Sequence, residues 1–371
     1  MKGSVDRILT THAGSLPRPS ELERDGVRSA VAGVVRQQAA CGIDSVNDGE
    51  FSKSNFTFYA ETRLGGIEVG PVPEDGEAAQ GISARDRREF PGYFENRGFF
   101  GGLARRLPPR PVVTCVAPLT YTGHEQVRAD VDNLRAALDG VEVENAFLPA
   151  VAPGTVEHWL TNGHYPDDEA FVYGIAEAMR EEYRAIVEGG FLLQIDDPDL
   201  LDGWQMYPDM TVDEYRRYAK LRIDALNHGL RGLPPERVRL HICWGSYHGP
   251  HKHDLPLRDI VDLVLEVNAG EYSIEASNPC HDHDWRVWED VRLPEGKALI
   301  PGVVGHASDF IEHPELVADR LERYARLVGR ENLLAGTDCG LGNRVGHPEI
   351  TWAKLSALVE GARLASRRLW G

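Results

Sequence analysis

The stretch Arg237–Ser246, "RVRLHICWGS", decides how the chain is read. It is a short apolar run that ends in His241 and Cys243, two positions apart. On a β-strand, side chains at i and i+2 share a face, so an imidazole and a thiol aim at one point in space. Seven other runs have the same form: "RILTTHAGS" (7–15), "IDSVNDGE" (43–50), "NAFLPAVAPG" (145–154), "FLLQIDDPD" (191–199), "EYSIEASNP" (271–279), "ALIPGVVGH" (298–306) and "NLLAGTDCG" (332–340). Each has an apolar body and a polar end.

Long amphipathic stretches separate these runs. In "DDEAFVYGIAEAMREEYRAIVEGG" (167–190), Phe171, Ile175, Met179, Tyr183 and Ile186 recur at helical spacing. Acidic residues open that helix and Gly189–Gly190 closes it. Similar patterns cover 211–230, 257–270 and 313–329. Eight strands alternating with helices, and no GxGxxG turn after the first, predict an α/β fold of the (β/α)8 TIM-barrel type. The expectation is a single catalytic barrel domain over 1–371. Residues 52–140, rich in Gly, Pro and aromatics, form an excursion between its second and third strands, with "PVVTC" (111–115) as an accessory strand there.

Composition narrows the partners. A chain of 371 residues, 42% hydrophobic and 26% charged, suits a soluble globular protein with a large core. A net charge of −18 opposes nucleic-acid binding, which needs a basic face. No apolar run reaches the roughly 18 residues of a membrane span, and the N-terminus lacks a signal-peptide core. Five Cys, an odd number in a chain this long, are not a disulfide framework, and a reduced cytoplasmic setting is expected. The composition is compatible with a homo-oligomer.

In a barrel the C-terminal strand ends carry the active site. Here they hold Ser15, Asp48, Glu50, Asp196, Asp197, His241, Cys243, Glu275, Asp338 and Cys339. His241, Cys243, Glu275 and Cys339 are the donor types that zinc takes: thiolate, imidazole and carboxylate. The plain alternative makes both Cys small buried hydrophobes and His241 a hydrogen-bonded core residue. His248, His251, His253, Cys280, His281 and His283 offer a rival donor set. They lie in loops without fixed geometry and read as a polar rim able to close over a substrate. Glu50 and Asp196 converge on the pocket, where two acids bind a substrate ammonium or move a proton. Asp197 and Asp199 read equally well as helix caps. The "HAGSLPRP" turn puts Gly14 and Ser15 where backbone N–H groups can hold a carboxylate, with Arg18 a further anion-binding candidate.

These residues together resemble the cobalamin-independent methionine synthase family, within the larger group that holds uroporphyrinogen decarboxylase. The motifs "AGS", "GE", "QIDDP", "HIC", "IEAS" and "TDCG" occur in the family's order, from "THAGSLPRP" to the end of the chain. The match is to the catalytic C-terminal barrel; the family's duplicated N-terminal barrel has no room here. The resemblance implies zinc on His241, Cys243, Glu275 and Cys339, and an amino-acid thiol on Ser15, Glu50 and Asp196. It implies a zinc-dependent S-methyltransferase of methionine biosynthesis that transfers methyl from an alkyl donor to a small-molecule thiol, homocysteine above all. The family also includes relatives that add coenzyme M to epoxides and others that take methyl from a corrinoid. An epoxide:thiol transferase, a zinc lyase or hydrolase, and a non-catalytic binding barrel are the competing readings.

Two departures bear on the donor. The synthases carry an Asp and a His after the seventh strand, where this chain has Gly305 and Ala307. His306 is one residue off, and on a strand a one-residue shift reverses the face. His306 is therefore the one candidate for the catalytic acid, expected to point away unless a bulge turns it inward. Methyltetrahydrofolate is accordingly expected to be a poor donor. The second departure is the His-rich loop, which lengthens the gap between Cys243 and Glu275 relative to the synthases.

Overall fold

In the computed structural model, which describes residues 3–19, 26–72, 83–95, 110–246, 249–342 and 344–371, every one of the eight runs contains a strand. The strands are β1 (Leu9–Thr10), β2 (Ser45–Val46), β3 (Leu64–Val69), β4 (Val113–Tyr121), β5 (Asn145–Val151), β6 (Thr161–Asn162), β7 (Leu192–Asp196), β8 (Val238–Ile242), β9 (Glu271–Ile274), β10 (Ala298–Val304) and β11 (Leu334–Thr337). Eight of them form one parallel sheet in the order β1-β11-β10-β9-β8-β7-β5-β2. Its two edges meet where the Asp44 N–H donates to the Thr10 carbonyl (3.1 Å) and the Asp44 carboxylate accepts from the Thr10 N–H (2.8 Å). The sheet thus nearly closes into the expected barrel.

The helices cover the outside. Helix Asp168–Glu188 buries Phe171, Ile175, Met179, Tyr183 and Ile186, and the Asp167 side chain caps it by accepting from the Ala170 N–H (2.8 Å). Thr211 and Glu214 form a reciprocal capping box at the start of helix Val212–Gly229.

The excursion carries its own sheet. β3 pairs antiparallel with β4, and β4 pairs parallel with β6, so the accessory strand is longer than "PVVTC" alone. Buried Arg63 ties it to the barrel's helices through Asp130 (2.6 Å) and Glu182 (3.2 Å). Within 52–140, helix His124–Ala137 packs on helix Val27–Cys41 in the outer ring, so regular barrel structure resumes before residue 140. Residues 73–82 and 96–109 of the predicted excursion lie outside the described residues.

One expectation about the strand bodies is corrected. They are not uniformly apolar: Gln194, Arg239 and Glu271 are in register inside the barrel. Arg239 donates to Glu271 (2.8 Å) and to Thr11 Oγ1 (3.1 Å), and all three residues are buried. This pair forms a polar floor one layer below His241. No described helix is long and apolar enough to cross a membrane, and all five Cys are free.

Candidate metal and thiol site

Register places the site. Asp196, His241 and Ser273 face one another across β7, β8 and β9, at the C-terminal mouth of the barrel. Strand alternation puts His241 above Arg239 on the inner face, and Cys243 follows at the strand end. The ligand atoms of His241, Cys243 and Cys339 all lie within 4.8 Å of one another. His241 Nδ1 meets Ser273 Oγ (3.3 Å), the ring interacts with the Cys339 sulfur, and Nε2 is buried without a geometrically defined hydrogen bond among the described residues. A buried polar atom left unpaired is costly, and a metal would satisfy it. The two thiols differ sharply. The hydrogen bond from Cys243 holds the Cys339 thiol well below the usual range, and the same bond, with burial, pushes Cys243 well above it. Ser246 Oγ also donates to Cys339 Sγ (3.2 Å). Two sulfur donors and an imidazole nitrogen gathered at one point fit a soft or borderline divalent metal.

Glu275, the fourth expected donor, stands in a second group whose ligand atoms are also within 4.8 Å of one another: Glu275, His306 and Asp338, all buried. Glu275 accepts from the Trp244 N–H (3.0 Å) and from Asn278 Nδ2 (3.2 Å). Asp338 accepts from the Ala276 and Ser277 N–H groups (2.8 and 2.9 Å) and from Ser277 Oγ (2.5 Å). It thereby fixes the turn that carries Glu275. The groups adjoin, since charge on Glu275 acts on Cys243 and charge on His306 acts on Cys339.

The expected direction of His306 is corrected here. It points into the site, 2% exposed, with Nδ1 unpartnered among the described residues. The β10–β11 register shifts between Gly302 and Val304, and β10 ends at Val304, so strict alternation no longer governs residue 306.

The acid pocket lies beside the metal donors. Glu50 and Asp196 are both 5% exposed. Burial, then Asp196, raises Glu50 to about 8; burial raises Asp196 to about 6. Charge at Cys339 acts on both. Glu50 sits at φ +61°, a strained setting for a side-chain-bearing residue. Gly14 (φ +132°) makes room for it, because a Cβ there would lie 2.3 Å from Glu50 Oε1. The Ser15 carbonyl accepts from the Leu341 and Gly342 N–H groups (both 2.9 Å), joining the first and last site loops. Gln194 Nε2 donates to Asp196 Oδ1 (2.8 Å) and to the Ala13 carbonyl (2.9 Å).

Other candidates take structural places. Arg18 donates to the Glu50 carbonyl (2.9 Å) and to the Lys53 carbonyl, clasping the Glu50 turn. Asp48 Oδ1 accepts from the Glu50 N–H (2.9 Å). Neither Asp197 nor Asp199 caps a helix through its side chain: Asp197 accepts from Thr155 Oγ1 (3.0 Å), and Asp199 lies 3.3 Å from His158. Lys53, which sequence reasoning missed, is buried and donates to the Pro149 carbonyl, and its charge acts on Glu50 and Asp196. Its place three residues after Glu50 was the available signal.

The His-rich loops are occupied with carboxylates. His251 and His281 share Asp254 (2.7 and 3.0 Å), His281 also meets Asp284 (3.0 Å), and His253 pairs with Glu89. Cys280 Sγ donates weakly to the Pro250 carbonyl (3.6 Å), and His283 lies 3.5 Å from Asp284. His248 lies outside the described residues. Burial pulls His281 down, but Asp254 and Asp284 outweigh it and raise the ring to about 9. Folding therefore takes up a proton at His281. That stabilisation, about 3 kcal/mol for such a shift, is complete below about pH 6.5 and is lost as pH passes about 9. Denaturation midpoints of the wild type should fall across that window, and those of His281→Gln should fall less steeply, since Glu50, raised to about 8, titrates there as well.

The family model for the cobalamin-independent synthase catalytic domain matches residues 152–364, which include Asp196, His241, Cys243, Glu275, His306 and Cys339. The chain is 24% identical to a methionine synthase of Thermococcus kodakarensis over 353 residues, 95% of this chain and 86% of the relative. It is 23% identical to a methionine synthase of Saccharolobus solfataricus over 384 aligned positions, 98% of this chain and 96% of the relative. A solved B12-independent methionine synthase from Shewanella superposes with a TM-score of 0.74 at 22% identity, over 98% of this chain and 99% of that one. A Listeria monocytogenes structure described as a vitamin-B12-independent methionine synthase gives a TM-score of 0.65 at 17% identity, over 98% and 99%.

Proposed function

The chain belongs to the cobalamin-independent methionine synthase family, and from that premise we propose that it is a zinc-dependent methyltransferase acting on the thiol of homocysteine or a similar amino acid. One observation carries the reading: His241, Cys243 and Cys339 converge beside a buried acid pair at the mouth of the barrel. Bound by those three, with Glu275 as the fourth ligand, zinc would supply a soft Lewis acid that lowers the pKa of a substrate thiol without quenching it.

The chain's own residues do the rest. Glu50 and Asp196 do not both ionise easily when buried side by side, and the Lys53 charge offsets burial only in part, so the pocket favours a further cation. A substrate ammonium is that cation. The substrate carboxylate is received at Ser15, since the Gly14 N–H already donates to His12 Nδ1 (3.3 Å), which fixes the amino acid at both ends and leaves its thiol facing His241 and Cys339. His306, turned inward, is placed to give a proton to a leaving group, which answers the ground for expecting methyltetrahydrofolate to be a poor donor and leaves that expectation to the donor assay. Burial of the whole layer keeps water from competing.

Two measurements test this. With homocysteine as acceptor and methyltetrahydrofolate, methylcobalamin or a sulfonium as donor, the zinc-loaded protein should form methionine from at least one donor. A protein that binds zinc and yet methylates no thiol would contradict the reading. In calorimetry, Glu50→Gln and Asp196→Asn should each weaken homocysteine binding by about 2 kcal/mol or more while zinc is retained. Unchanged affinity in both variants would show that no amino group binds there.

A further inference from the structure

The His-rich loop, the excursion and the end of β8 form one continuous set of contacts. In helix Ala84–Glu89, Asp86 accepts from the His253 N–H (3.1 Å) and its own N–H donates to Gln205 Oε1 (3.3 Å). Gln205 Nε2 donates to Asp254 Oδ1 (3.0 Å), and Asp254 Oδ2 holds His281 (3.0 Å). The His281 ring lies flat on Trp244, with centroids 3.6 Å apart and planes 15° from parallel. Trp244 is fully buried; its Nε1 donates to the Leu255 carbonyl (2.8 Å), and its backbone N–H donates to Glu275 Oε2 (3.0 Å).

This arrangement answers a mechanical need. β8 ends at Ile242, and Gly245 (φ +83°) follows Trp244, so neither a ladder nor backbone stiffness fixes the Trp244 peptide. The ring stack and the Leu255 bond do so. Glu275 in turn takes its direction from two donors, of which the Trp244 N–H is the shorter contact. A hydrogen bond to a carboxylate is among the strong ones, so moving the peptide moves the carboxylate.

We propose that His281, held between Asp254 and Asp284 and stacked on Trp244, is a positioning residue that fixes the Trp244 peptide and through it the Glu275 carboxylate. The inference rests on the reading of Glu275 as a metal ligand. It also gives the long loop between Cys243 and Glu275 a part, since its Asp254 holds His281 and its Leu255 carbonyl holds the Trp244 ring.

A double-mutant cycle tests it. Zinc affinity is measured by chelator competition for the wild type, His281→Ala, Glu275→Gln and the pair, and hydrogen exchange of the 243–246 peptide is followed in the metal-free proteins. His281→Ala should weaken zinc by about 10–100-fold, as loss of a partner behind a ligand does, and should have almost no further effect once Glu275 is Gln. Exchange at 243–246 should accelerate in His281→Ala. Equal losses of affinity in both backgrounds would assign His281 a merely structural role and overturn the proposal. A wild type that takes up no zinc would defeat the ligand reading instead, and unchanged exchange at 243–246 would then defeat this one as well. If His281→Ala does not fold, Asp284→Asn, which removes one of the ring's two carboxylates, carries the same measurements.

Discussion

Cys243→Ser and Cys339→Ser are each expected to strip the protein of most of its metal, from about one zinc per chain to a small fraction, with the fold intact. Zinc prefers thiolate, and serine offers a poor donor at the same place. Methyl transfer should fall with the metal. A catalytic metal contributes several kcal/mol to the transition state, so a loss of about 10³-fold or more in rate is expected. Elemental analysis and single-turnover assays measure the two effects separately. Full zinc in the double Cys variant would move the site to His251, His281 and their neighbours, even though those rings are already engaged with Asp254 and Asp284.

The second large effect concerns His306. Its inward direction, beside Glu275 and Asp338, supports the proposal that it is the acid for a leaving group that must be protonated. His306→Ala should slow transfer from methyltetrahydrofolate by about 10²–10⁴, the usual worth of a positioned acid. Transfer from methylcobalamin or a sulfonium should change little, since those leaving groups need no proton. Equal slowing with both kinds of donor would make His306 a structural member of the buried cluster.

The barrel was legible because its signals are local. Each strand run announced itself by an apolar body and a polar end, and the helix that begins at Asp168 by its spacing and its cap. His241 and Cys243 could be paired from spacing two, because alternation holds as far as the strand end. The same rule misplaced His306, since a register shift and the end of β10 intervene before it. What stayed hidden depends on partners far along the chain. Asp338 supports Glu275 by bonding the Ala276 and Ser277 amides, 62 and 61 residues before it, and Glu89 meets Lys252 and His253 across the top of the barrel. No spacing within either segment encodes such a pairing. The Arg239–Glu271 floor was overlooked for a related reason: each residue alone looks like an interruption of an apolar strand, and only the aligned register shows them as a pair.

On the proposed function, a substrate thiol enters the coordination of a metal held by His241, Cys243 and Cys339. Zinc-edge X-ray absorption of the wild type before and after homocysteine tests it directly. Two sulfur ligands should become three on addition of the thiol, with loss of an oxygen donor if Glu275 gives way to it. A sulfur count that stays at two with homocysteine saturating would contradict thiol activation at this site.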